Sequence, residues 1–231
     1  MAEQCAAVLR LPSKRGPKPT LQYLEVEEVA AILAQPDRQT LKGQRDHALL
    51  AFLYNTGARI QEALDVTPHC LSLRHPAFVR LFGKGRKERI CPLWPETAAL
   101  LEALLHRVSP QPNEPVFTNR YGRPLTASGV RYVLGGYVKA AIRQAPSLAT
   151  KSVSPHSFRH ATAVHLLASG VDITVVRSWL GHARLETTNL YAEVNLQSKR
   201  QALERFRIGS IPSQPPRWKG DTGLLAWLES L

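Results

Sequence analysis

Apolar positions in the first third of the chain recur at helical spacing. "LEVEEVAAILAQP" sets Val26, Val29, Ala30 and Leu33 on one stripe and stops at Pro36, which predicts a short helix. "RDHALLAFLYNTG" directs Leu49, Leu50, Phe52 and Leu53 inward and ends at Gly57, predicting a second core helix. "ARIQEALDV" resumes as a brief third helix before Pro68 marks a break. The pattern then changes. "AFVRLFG" and "KERICPL" are β-prone runs about the basic, Gly-containing "KGRK", an arrangement that predicts a hairpin. Helical spacing returns in "PETAALLEALLHRV" and "TASGVRYVLGGYVKAAIRQA", although Gly135 and Gly136 weaken the second. It continues through "HSFRHATAVHLLASG", "VDITVVRSWLGH", "ETTNLYAEV" and "QSKRQALERFR". The fold class this predicts is mainly α with a small β-sheet, α+β.

The flanks read differently. Residues 1–19, with "SKRGPKP", form a basic Pro/Gly-containing tail whose Lys14, Arg15 and Lys18 are suited to lie on phosphates. Residues 20–208 hold the periodic elements. Within 209–231, "IPSQPPRWKGDTG" is a linker and "LLAWLESL" a short apolar helix. Its Leu224, Leu225, Trp227 and Leu228 are expected to dock on a neighbouring protomer or back on the chain's own core.

Composition narrows the function. Among 231 residues, 44% are hydrophobic, enough for a real core, while 30 Lys and Arg stand against 18 Asp and Glu for a formal charge of +12. Such an excess is the electrostatic footprint of a nucleic-acid binder, although composition alone also fits a ribosomal or membrane-surface protein. No apolar run approaches the ~18 residues of a membrane span. The N-terminus lacks a signal peptide's apolar stretch and cleavage pattern. A cytoplasmic location is the simplest expectation. Cys5, Cys70 and Cys91 are odd in number and lack C-x-x-C spacing, so free thiols are expected rather than a disulfide framework or a zinc ribbon.

The candidate chemistry lies in scattered cations. In "HSFRH", His156, Arg159 and His160 stand at i, i+3 and i+4 and share a helix face, an arrangement that anticipates an anion. Arg59 in "TGARIQEAL", Lys84 in "FGKGRKER", His182 in "LGH" and Tyr191 in "TTNLYAEV" complete the set. Arginine forks bind nonbridging phosphate oxygens, and can stabilise the extra charge of a trigonal-bipyramidal phosphorus more than the ground state. A tyrosine hydroxyl can attack phosphorus, while a lysine or histidine can protonate the departing alkoxide. Together these groups suit phosphoryl transfer.

In order and spacing they resemble the tyrosine recombinase family, the phage-integrase and Xer class of site-specific DNA recombinases. "TGARIQEAL" resembles its first arginine box, "GKGRKER" its lysine-bearing β-hairpin, "HSFRH" its H-x-x-R box, and "LGH" followed nine positions later by Tyr191 its histidine and nucleophile. The resemblance implies that 20–208 is a catalytic domain in which Tyr191 attacks the scissile phosphate to give a 3′-phosphotyrosyl link. Lys84 would protonate the 5′ oxygen, Arg59 and Arg159 would clamp the phosphate, and His156 and His182 would hydrogen-bond it and assist proton transfer. Reversal with another strand rejoins the DNA, so neither ATP nor a metal is implied. Double-stranded DNA is the implied partner, and a homotetramer on paired sites the implied assembly. Members usually carry a separate helical DNA-binding domain before the catalytic one. Here the first helix begins within the opening 30 residues, so no such domain is expected in this sequence, which would be a compact enzyme or a truncated copy.

Taken singly, each residue has an ordinary account. Arg59 could pair on a helix surface, Lys84, Arg86 and Lys87 could all be phosphate anchors, His182 could cap a helix, and Tyr191 could be a satisfied core tyrosine. Their joint occurrence outweighs these readings. His156 and His160 have metal-ligand spacing, but the glutamate of H-E-x-x-H is absent, so no metal site is expected. His160 is expected to support the site from behind, His165 to be structural, and Trp179, Trp218 and Trp227 to be packing groups. A type IB topoisomerase, which would rejoin the original strand, and a non-cleaving DNA-binding regulator are the alternatives.

Overall fold

A computed structural model describes residues 23–83 and 88–181. The basic tail with Lys14, Arg15 and Lys18, the hairpin tip with Lys84, Arg86 and Lys87, and everything from His182 onward, Tyr191 and the apolar segment included, lie outside the described residues.

The described residues hold seven α-helices and one small three-stranded sheet. Helix α1 (Val26–Leu33) is where expected but is turned: Glu28, Val29, Ala31 and Ile32 face inward while Val26 is 53% exposed. The cause is the Glu28 carboxylate, drawn into the protein by Lys151 Nζ at 2.7 Å and the Ser147 hydroxyl at 2.5 Å. A buried carboxylate needs such partners, and satisfying them sets the helix face.

Helix α2 (Leu41–Thr56) is the central element, packed against α1 and against the helices at Ile60–Leu64, Pro95–Val108 and Pro155–Ala168. The Thr40 hydroxyl caps it by accepting the Gly43 N–H at 3.0 Å, and Leu49, Leu50, Phe52 and Leu53 are buried as their spacing predicts. Gly57 ends it in the left-handed region at φ 59°. Helix α3 (Ile60–Leu64) follows directly.

A 3-10 turn at Pro68–Cys70 leads into the antiparallel sheet β1 (Leu71–Ser72), β2 (Phe78–Phe82) and β3 (Glu88–Pro92), in that order. The predicted hairpin is β2–β3, with Val79 opposite Cys91 and Leu81 opposite Arg89. Strand β1 has no signal in the sequence because two residues are too few to show alternation.

Helices α4 (Pro95–Val108) and α5 (Ala127–Ala141) come next. Gly135 and Gly136 do not interrupt α5, which is held by buried Val130, Leu134 and Ala141; packing outweighs the weak propensity of the glycines. Helix α6 (Pro155–Ala168) opens with Pro155 at its first position, and α7 (Ile173–Leu180) is capped by the Asp172 carboxylate on the Thr174 N–H at 2.7 Å. Gly181 ends α7 at φ 65°.

The main core gathers around Phe52, Phe117, Leu53, Leu101 and Leu134, and a smaller cluster of Val164, Leu167, Val176 and Leu180 joins α6 to α7. Cys70 and Cys91 are free thiols. No helix among the described residues is long and apolar enough to cross a membrane.

Candidate active site

Helices α2 and α7 both end in left-handed glycines, and those two ends meet. A Cβ on Gly57 would fall 2.4 Å from Leu180 Cδ2, so only glycine lets α7 come this close. Two residues on, Arg59 starts α3. Its side chain is 45% exposed and pairs through Nη1 with Glu62 Oε1 at 2.8 Å, while its backbone N–H donates to Glu62 Oε2 at 2.9 Å. The carboxylate satisfies the first turn of α3 and aims the arginine together.

Arg159, one turn into α6, occupies the space beneath. Unlike His156 on the same helix face it is enclosed: the residue is 1% exposed, the largest fully buried side chain among the described residues. Nη1 donates to Gly57 O and Nη2 to Leu180 O, each at 2.6 Å. Both acceptors belong to helix C-termini, where the aligned peptide dipoles leave negative potential that favours a guanidinium. One side chain thus joins the ends of α2 and α7 to the start of α6.

His156 lies on the surface at the first turn of α6, its ring 4.3 Å from that of His160 and edge-on to it. Partial burial, then the positive charges of Arg159 and Arg59, push the His156 pKa below the ordinary value. Burial, followed by His156 and Arg159, lowers His160 to about 4. Both imidazoles are therefore neutral at pH 7, in a field that an arriving anion would offset. His165 is set apart, its Nδ1 on the Tyr54 hydroxyl at 2.7 Å. No group of three or more His, Cys, Asp or Glu among the described residues could hold a metal ion.

The structure thus brings together Arg59, His156 and Arg159. Of the other candidates, Lys84 follows directly from Gly83 at the end of the hairpin and His182 follows Gly181, but both lie outside the described residues, as does Tyr191.

Two residues of the site carry no strong signal in the sequence. Glu62 stands three positions after Arg59, a spacing that could have identified it as the partner of the helix start. Its burial raises its pKa, but hydrogen bonds from Arg89, the Arg59 backbone and the Arg59 side chain outweigh that and hold the carboxyl below its usual range. Arg89 is submerged in the basic run of the hairpin; strand alternation places it inward with Cys91 and Leu93. Its Nη2 meets Glu62 Oε2 at 2.6 Å.

A buried arginine on two helix ends, with a neutral histidine and an outward arginine beside it, makes a locally positive corner suited to an anion. Known proteins resemble this chain as follows. The integrase/recombinase y4rC of Sinorhizobium fredii is 39% identical over 228 residues, which is 99% of this chain and 68% of that protein. The tyrosine recombinase XerD of Staphylococcus aureus is 35% identical over 202 residues, 85% of this chain and 66% of that protein. This chain therefore spans about two thirds of the length of these relatives. The XerH site-specific recombinase, solved in a post-cleavage complex with its palindromic difH substrate, shares the fold with a TM-score of 0.70 at 24% identity, over 86% of this chain and 57% of that one. With residues 22–198 matching the family as a whole, and the arginine and histidine boxes folded into one site, the chain belongs to the phage integrase family.

Proposed function

We propose that this protein is a site-specific DNA recombinase or integrase that breaks and rejoins strands of double-stranded DNA through Tyr191. The observation that carries the reading is the convergence of Arg59, His156 and Arg159, far apart in sequence, where α2, α6 and α7 meet. The names of the relatives, an integrase/recombinase and a tyrosine recombinase, support the same activity.

In the proposed step the Tyr191 oxygen attacks the scissile phosphorus. A tyrosyl O–P bond forms as the P–O5′ bond breaks. The phenolic proton passes to a neutral imidazole, His156 or His182, and the departing 5′ oxygen takes a proton from Lys84. Arg59 stabilises the nonbridging oxygens from the surface, and the charge of Arg159 acts from beneath. Attack by another strand's 5′ hydroxyl reverses the chemistry and conserves the phosphodiester energy. Lys14, Arg15, Lys18, Arg86 and Lys87 would add contacts to the DNA backbone, and exchange would take place in a homotetramer on paired sites.

The test uses duplexes tiled across the DNA flanking the gene, each nicked so that a cleaved fragment diffuses away. An SDS-stable protein–DNA adduct formed by the wild type and lost in Tyr191→Phe is the expected result. Absence of an adduct on every duplex, or its persistence in Tyr191→Phe, overturns the reading.

A further inference from the structure

Arg89 stands at the junction of three elements. It occupies the inward face of β3, opposite Leu81, and its side chain is 9% exposed. The neighbouring inward positions are Val79, Leu81, Cys91 and Leu93, all buried and apolar. A guanidinium in that row is not there for stability alone, since an apolar side chain of similar volume usually serves a buried position as well or better.

What the guanidinium does is span two acceptors. The Nε–Nη2 edge faces both: Nη2 donates to Glu62 Oε2 at 2.6 Å and Nε to the carbonyl oxygen of Trp179 at 3.0 Å. Glu62 in turn holds the backbone and the side chain of Arg59. Trp179 lies in the last turn of α7, and its carbonyl also accepts from Cys91 Sγ at 3.3 Å. Gly181 is packed closely on Arg89: a Cβ there would lie 3.0 Å from Arg89 Cδ and 3.3 Å from Nη1, tighter than an ordinary contact.

We propose that Arg89 is a positioning residue for strand cleavage, which locks the hairpin strand, the Arg59–Glu62 pair and the end of α7 into one unit. This rests on reading the chain as a recombinase. The physical basis is competition for one carboxylate. Glu62 is shared by two cations, and while Arg89 holds Oε2, only Oε1 is left for the Arg59 side chain. Without Arg89 the carboxylate would turn to Arg59 alone, cancelling the charge that is to meet the phosphate. At the same time the carbonyl end of α7 would lose the charged donor on Trp179 O and keep only that of Arg159 on Leu180 O. Lysine cannot replace it, because a single ammonium on a flexible stem does not present two parallel donors.

The test compares the full chain with Arg89→Lys and, from the other side of the same link, Glu62→Gln. Hydrogen–deuterium exchange without DNA is followed in segments 57–66 and 173–181, and single-turnover cleavage and filter binding are measured on the nicked duplex that the wild type cleaves. For Arg89→Lys the expectation is faster exchange in both segments together, cleavage slowed by about 10²-fold, and a Kd for DNA within about twofold of wild type. Glu62→Gln should loosen 57–66 and leave 173–181 protected, which keeps the link testable if Arg89→Lys folds poorly. Unchanged exchange in 57–66 or in 173–181 for Arg89→Lys, or parallel losses of cleavage and binding, would overturn the proposal. Should the wild type cleave no duplex, the recombinase reading falls, and the exchange measurement alone decides whether Arg89 joins the two segments.

Discussion

Arg159 donates through Nη1 to the carbonyl oxygen of Gly57 at 2.6 Å, which ties the H-x-x-R helix to the turn that delivers Arg59 two residues later. The two arginines of the candidate site are therefore unequal. Arg159 is part of the scaffold as well as of the charge, whereas Arg59 is half-exposed and held by Glu62. Substitution by lysine should separate them. Arg159→Lys cannot keep both of the charged hydrogen bonds to Gly57 O and Leu180 O in a buried place, so a stability loss of about 1.5–3 kcal/mol is expected in urea unfolding, along with lost cleavage. Arg59→Lys should stay within about 0.5 kcal/mol of wild type and still cleave ~10²-fold more slowly, with DNA binding little changed. Equal stability losses in the two variants would contradict this division.

Gly57 itself should not tolerate a side chain. At φ 59° an L-residue carries a cost of about 1–2 kcal/mol, and the added Cβ would drive into Leu180 Cδ2 at 2.4 Å. Gly57→Ala is expected to lower stability by about 2 kcal/mol or more and to displace the carbonyl that Arg159 holds. Gly122→Ala is the control: it too has positive φ, but nothing lies within 4 Å of its Cβ, so it should show the backbone cost alone. Similar losses for both would mean that the α2–α7 contact is not tight.

These contacts explain what the sequence could and could not reveal. The helices among the described residues were legible because burial imposes a period, and the pairing of β2 with β3 because "KGRK" separates two β-prone runs. Which face of α1 turns inward was not, since Val26, Val29, Ala30 and Leu33 form a fair apolar stripe and only the distant Ser147 and Lys151 make burial of Glu28 possible. In the site, Arg59, His156 and Arg159 stood out by residue type and spacing. That Arg159 is enclosed was invisible, because its acceptors are the main-chain carbonyls of Gly57 and Leu180, which any residue would provide. Arg89 escaped for a related reason: its meaning lies in its bonds to Glu62 and Trp179, remote in the chain.

The histidine pair should make the fold sensitive to mild acid. His160 titrates at about 4 in the folded chain against 6.5 ordinarily, because burial and then the charges of His156 and Arg159 disfavour its cation. Between those two values the unfolded state binds more protons than the folded one, so stability falls as pH falls from about 6.5 towards 4 and is fully present above that window. His47, His156 and His165 are shifted in the same direction and add to the slope. His160→Gln should flatten the dependence of the urea midpoint on pH in that range, by no more than about 1.4 kcal/mol per pH unit. An unchanged slope would show that His160 is freely protonated in the folded protein.

The roles proposed for Tyr191 and Lys84 can be told apart chemically. Tyr191→Phe removes only the nucleophile's hydroxyl, so binding to DNA should survive while covalent attachment disappears at every pH. Lys84→Ala should fail at a different point, the protonation of the leaving 5′ oxygen. If that is the role of Lys84, a duplex carrying sulfur in place of the 5′-bridging oxygen should restore cleavage to Lys84→Ala, since a thiolate departs without needing a proton. It should do nothing for Tyr191→Phe. Lys87, three positions on in sequence and of the same charge, gives the comparison: Lys87→Ala should weaken binding and reduce the salt slope by roughly 0.9, the share of a single phosphate that is no longer neutralised, with no sulfur-specific rescue. Rescue of Lys87→Ala in place of Lys84→Ala would exchange the two assignments, and rescue of neither would move the general acid to His156 or His182.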